Sequence, residues 1–99
     1  MTVTEFIMAV NNSKEPFYSL DEVYDYAFDK KVATIDFDKH SGYDIATDVY
    51  RCEDGFVGVT GLNEIFCDGL YPSDLRINCE ASEYEEVQVI SYKPKKCHS

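Results

Sequence analysis

His40 stands between Asp38 and Ser41, with Asp44 four residues further on, and is the one histidine within a patterned stretch of the chain. An imidazole beside carboxylates can serve as a general base if a nucleophile lies within hydrogen-bond reach. Ser41 is adjacent in sequence, which does not supply that geometry, so the expected role of His40 is a solvated loop side chain. Cys97-His98 pairs a thiol with an imidazole, but Lys93, Lys95 and Lys96 just before it place the pair in a solvated tail. Asp36, Asp38, Asp44 and Asp48 are numerous enough to hold a divalent cation, yet the loop glycine and closing glutamate of an EF-hand are missing. The four cysteines, Cys52, Cys67, Cys79 and Cys97, are separated by 14, 11 and 17 residues, with no C-x-x-C or H-x-x-x-H among them. That spacing does not build a structural zinc site. Paired acids for glycoside hydrolysis would need a cleft, and nothing in a chain without tryptophan outlines one. No catalytic residue, metal or cofactor is therefore expected.

What remains is charge. Nineteen acids face nine lysines and arginines, a net charge of −10 on 99 residues. The acids run through the whole chain and do not form a tail. Such a field repels phosphate, so direct binding to nucleic acid or to an anionic membrane is disfavoured and a basic protein partner is expected. A hydrophobic content of 44%, with eight tyrosines and six phenylalanines, is too high for disorder. The expectation is one domain over residues 1–99, with 93–99 as a flexible tail. No apolar run approaches the ~18 residues of a membrane span, and the first ten residues lack the basic start of an export signal. The cytoplasm is the expected compartment, with the thiols free. The ending Cys97-His98-Ser99 is one residue short of a prenylation box.

The elements that must carry the acids can be read in order. Thr2-Val3-Thr4-Glu5 fits a capping box, and Val3, Phe6, Ile7 and Val10 follow as one helical stripe ended by Asn11-Asn12-Ser13. Ser19-Leu20-Asp21-Glu22 repeats the logic and opens a second helix to about Lys31. Its buried face is expected to be Leu20, Val23, Tyr24, Ala27 and Phe28, and its exposed face carries Asp21, Asp25 and Asp29 four apart, with Glu22 beside them. Early acids and late lysines suit the helix dipole, but a third carboxylate in that row repels its neighbour. Residues 32–37 read as a strand and 38–42 as a polar loop. Residues 43–61 read as two strands joined by the turn Asp54-Gly55. Period two puts Asp44, Ala46, Asp48, Tyr50 and Cys52 on one face and Tyr43, Ile45, Thr47, Val49 and Arg51 on the other. Residues 62–66 are ambiguous and 67–74 turn-rich. Residues 75–81 and 85–92 are expected to form a last strand pair, which Pro94 ends. The architecture expected is α+β, two N-terminal helices packed on one face of a four- to five-stranded, mainly antiparallel sheet, with the opposite face partly open.

Two stretches, EDGFVGVTG (53–61) and CEASEYEEVQVISYKPK (79–95), are similar in style to small acidic proteins of phages and mobile elements, and in size and charge the chain resembles anti-CRISPR proteins, several of which mimic DNA. The resemblance covers about half the chain and carries no functional residue with it. It implies a non-enzymatic inhibitor that binds a basic, nucleic-acid-processing bacterial complex, a CRISPR effector above all, in competition with nucleic acid. The residues expected to meet such a partner are Asp21, Asp25, Asp29, Asp44, Asp48 and Asp54, with Tyr26 and Tyr50 as anchors. Charge reversal at Asp44 and Asp48 would then abolish binding. The alternatives are a mobile-element assembly module that self-associates along an exposed strand edge, so that monomer and homodimer both stand, and a binder of, or enzyme on, a nucleotide signal, for which an acidic surface is a poor lure.

Overall fold

Thr2 starts the first helix as its sequence specifies. Its hydroxyl accepts from the Glu5 N–H at 3.2 Å and its own N–H donates to the Glu5 carboxylate at 2.9 Å, closing the box at the head of α1 (Val3–Asn11). In the computed structural model, which describes residues 1–87 and 91–95, α2 (Leu20–Ala27) follows and passes into a 3-10 turn, Phe28–Lys30. Five strands complete the chain: β1 (Lys31–His40), β2 (Tyr43–Cys52), β3 (Gly55–Ile65), β4 (Glu80–Val87) and β5 (Ser91–Pro94). A one-turn helix, α3 (Pro72–Leu75), lies between β3 and β4. The sheet is an antiparallel meander in the order β1-β2-β3-β4-β5, so the fold is α+β with two N-terminal helices and a curled five-stranded sheet.

The helices bury Val3, Phe6 and Val10 of α1 and Leu20, Val23 and Ala27 of α2 against Ala46, Tyr50, Cys52, Val57, Val59, Cys79 and Ala81 of the sheet and its approach. The opposite face is closed as well. Thr47, Val49, Leu62 and Tyr84 are buried there without a helix over them. The Tyr84 ring lies across Gly58, where a Cβ would come within 2.3 Å of it. The Thr47 and Thr60 hydroxyls pair at 2.8 Å. An aromatic side chain folded over a strand glycine covers the backbone that the glycine leaves bare.

Several expected boundaries move. β1 continues through 38–40, the expected polar loop, because those residues pair with Ile45, Asp44 and Tyr43. The β2–β3 turn is Glu53-Asp54, with Gly55 already opposite Cys52 in the ladder. β3 takes in 62–65, which settles that ambiguity in favour of a strand. The strand expected over 75–81 starts only at Glu80. Pro72 opens α3, Asp74 accepts the Tyr71 N–H at 3.1 Å, and Arg76 turns left-handed at φ 53°. Pro94 pairs with Tyr84 inside the ladder and the Lys95 N–H reaches the Glu83 carbonyl at 2.9 Å. The expected tail thus holds residues 93–95 in the sheet; 96–99, with Cys97 and His98, lie outside the described residues.

The margins of the sheet are irregular. β1 shifts register between Lys31 and Ala33 and again between Ile35 and Asp38, where Asp36 adopts φ 55°. Only Ala33–Ile35 run unbroken between the two bulges. β5 is four residues long and carries Lys93 and Pro94. The outer side of β4 at Ala81 is taken by Asn11 at the end of α1. Its amide donates to the Ala81 carbonyl at 2.9 Å and accepts the Ala81 N–H at 2.8 Å, as a neighbouring strand would. Bulges, short strands, lysine and proline are the devices that stop one edge pairing with another, which leaves self-pairing along β1 little regular backbone to use.

Candidate functional site: the acidic face of α2

α2 turns its apolar side inward through Leu20, Val23 and Ala27, so the residues between them face water. Glu22 helps start the helix, its carboxylate accepting the Tyr18 N–H at 3.2 Å, while the Ser19 hydroxyl makes no capping bond. Asp21, Glu22, Asp25 and Asp29 are all exposed. Within the described residues only Asp29 among them has a cation close by, Lys30 at 3.9 Å. Tyr24 and Phe28, expected inside, are 40% and 63% exposed. The α-helix ends at Ala27, whose φ of −141° redirects the chain into the 3-10 turn and takes Phe28 off the buried stripe. Tyr26 is 48% exposed and rests edge-on against Phe6, with ring centroids 6.2 Å apart. The Lys31 ammonium lies 5.2 Å from the centre of the Tyr24 ring. A hollow of about 450 Å³ at the end of this face brings Asp29, Lys30 and Val32 beside Arg51, Cys52 and Glu53 of the β2–β3 turn. Phe28, Tyr24 and Glu53 were not foreseen at the surface beside these acids.

The hairpin acids are placed differently. Asp44, Ala46, Asp48, Tyr50 and Cys52 do share a face, but it is the face under the helices. Asp48 is 2% exposed, Asp44 9% and Tyr50 0%, so these three cannot present a carboxylate or an anchor to a partner. Their burial has partners from remote parts of the chain. Asp48 accepts from the Thr34 hydroxyl at 2.7 Å and pairs with Lys31 at 3.3 Å. Asp44 accepts from the Asn63 amide at 3.2 Å. Asp54 is exposed, but one of its oxygens receives the Val3 N–H at 2.8 Å and so holds the head of α1. Of the eight residues singled out in the sequence, Asp21, Asp25, Asp29 and Tyr26 come together on one exposed face. Asp54 is spent on α1, and the other three lie in the core.

The Tyr50 hydroxyl is the one buried side-chain polar atom without a hydrogen-bond partner among the described residues. Burial, with Asp48 and Cys79 adding negative charge, pushes the ionisation of Tyr50 up from its ordinary 10. Burial, with Glu22 and Asp48, pushes the Cys79 thiol up from 9 to about 12. Both groups keep their protons more tightly folded than unfolded. Their contribution is intact below pH 9 and is lost as pH rises through the folded values, because the unfolded chain releases protons first. Stability is therefore expected to fall above pH 9 in a urea-melt series, less steeply in Tyr50→Phe. At pH 7 that variant should be more stable by about 1 kcal/mol, since it removes a buried hydroxyl that bonds to nothing. A loss of stability at pH 7 would mean that the hydroxyl has a partner.

The remaining chemistry does not assemble. His40 meets Asp38 at 3.1 Å and stacks on Tyr43 at 5.0 Å, both at the exposed end of the β1–β2 hairpin, and no hydrogen bond joins it to Ser41. Among the described residues no three His, Cys, Asp or Glu side chains gather as a metal would need, and Cys52, Cys67 and Cys79 are free thiols. No helix there is long and apolar enough to cross a membrane. No protein-family model, curated protein or solved structure matches the chain.

Proposed function

We propose that this chain is a non-enzymatic inhibitor, acting in the cytoplasm of a bacterial host, that docks through the α2 face on a basic nucleic-acid-binding surface and competes with nucleic acid there. The observation that carries this reading is the exposed row Asp21, Glu22, Asp25 and Asp29, interleaved with exposed Tyr24, Tyr26 and Phe28. At about 1.5 Å per residue, four carboxylates between positions 21 and 29 fall about 4 Å apart along the axis. One strand of duplex DNA carries a phosphate per about 3.4 Å. The face thus offers a Lys/Arg channel a charge density close to that of its own ligand. The aromatic rings add what charge alone lacks, packed area that fixes the complex once steering has formed it. The resemblance to anti-CRISPR proteins makes a CRISPR effector the first class of target.

The test is displacement of labelled DNA from purified guide-loaded effectors. Wild type should displace it, and less well at 200 mM than at 50 mM salt. Asp21→Lys with Asp25→Lys, both at exposed positions, should weaken inhibition about a hundredfold, equivalent to about 2.7 kcal/mol. Reversals at Asp44 or Asp48 are unsuitable, because they strike the core. Equal potency of the double variant sinks the proposal.

A further inference from the structure

We infer that the α2 face selects arginine over lysine in its partner, a guanidinium stacking on Phe28 while bonding to Asp25 or Asp29. The inference rests on the proposed docking role and specifies its chemistry. Phe28 is 63% exposed, beside Asp29 and one turn beyond Asp25, and no cation of the described residues lies over its ring. Elsewhere the protein lays cations on its rings: Lys31 on Tyr24 at 5.2 Å, Lys39 on Phe66 at 5.3 Å and Arg51 on Phe56 at 5.2 Å. Phe28 has the same acidic surroundings and an open face. The group that satisfies a ring and a carboxylate together is planar, weakly hydrated and able to donate two parallel bonds, which describes guanidinium. An ammonium is a compact, strongly hydrated point charge and gains less from the ring. Self-association does not fit this surface, since a second copy would bring another −10 against it.

The probes are fluorescent nona-arginine and nona-lysine, matched in charge and titrated by anisotropy against wild type, Phe28→Leu, Phe37→Leu, and Asp21→Lys with Asp25→Lys. Wild type should bind nona-arginine at least about fivefold more tightly. Phe28→Leu, which keeps an apolar group at an exposed position, should bring that ratio near one and leave nona-lysine binding unchanged. Phe37→Leu, at an equally exposed ring flanked by Asp36 and Asp38, should leave the ratio intact. Equal affinity for both peptides, lost in the charge-reversal variant, overturns arginine selection while acidic docking stands. Selectivity that survives Phe28→Leu, or that vanishes in Phe37→Leu instead, also overturns it. Failure of wild type to bind either peptide removes the docking role itself.

Discussion

Asp48→Ala is expected to lower the unfolding free energy by about 3 kcal/mol, read as a shift of the urea midpoint at unchanged slope. The carboxylate is nearly out of contact with water, and two groups depend on it. The Thr34 hydroxyl would lose its acceptor, and the Lys31 ammonium would keep its charge without the counter-ion 3.3 Å away. The Lys31 side chain is 30% exposed and can turn part-way to water, which keeps the cost at the lower end of that for a broken buried pair. Asp48→Asn retains an acceptor for Thr34 and should cost about 1 kcal/mol. A loss below about 0.5 kcal/mol for alanine would show that the carboxylate is solvated, and would return Asp48 to the residues open to a partner.

Gly58→Ala should cost about 2 kcal/mol although it only adds a methyl group. The new Cβ would sit 2.3 Å from one ring carbon of Tyr84 and 2.5 Å from the next. That ring, 7% exposed, is itself packed into the sheet face and cannot swing clear without unpacking. In a Tyr84→Ala background the same change should cost nothing, because alanine is then the better strand residue. The coupling in the four-variant cycle is expected near 2 kcal/mol. Additive losses would place the ring away from Gly58.

How far the sequence foretold this can be judged at particular residues. The capping box at Thr2, the stripe Val3, Phe6 and Val10, and the strand pair around residue 54 are local patterns, and they formed as read. Parity along β2 was legible too, for Asp44, Ala46, Asp48, Tyr50 and Cys52 do lie on one side. Which side faces the helices was not legible. Two aspartates argued for water, while the groups that make their burial tolerable, Thr34, Lys31 and Asn63, come from other strands. Buried carboxylates are decided by such remote donors, which spacing within one strand does not reveal. Tyr24 and Phe28 failed in the opposite sense. A 3.6-residue stripe presumes an unbroken helix, and the change of winding after Ala27 ended it one residue early. The segment 75–81 misled because its apolar residues, Leu75, Ile77 and Cys79, alternate like a strand while Pro72 and Asp74 start a helical turn ahead of them.

The two bulges of β1, the Asn11 amide laid along β4 and the brief, proline-bearing β5 have a consequence for dosage. A blocker that works by occupancy must be at least as abundant as what it blocks. Abundance is dangerous for a meander whose flanks can zip to their twins and grow into fibrils. Here the flanks offer too little continuous backbone to begin, and mutual repulsion discourages approach. The molecule is thus built to accumulate in a crowded cell as separate, dispersed copies, each free to find a target.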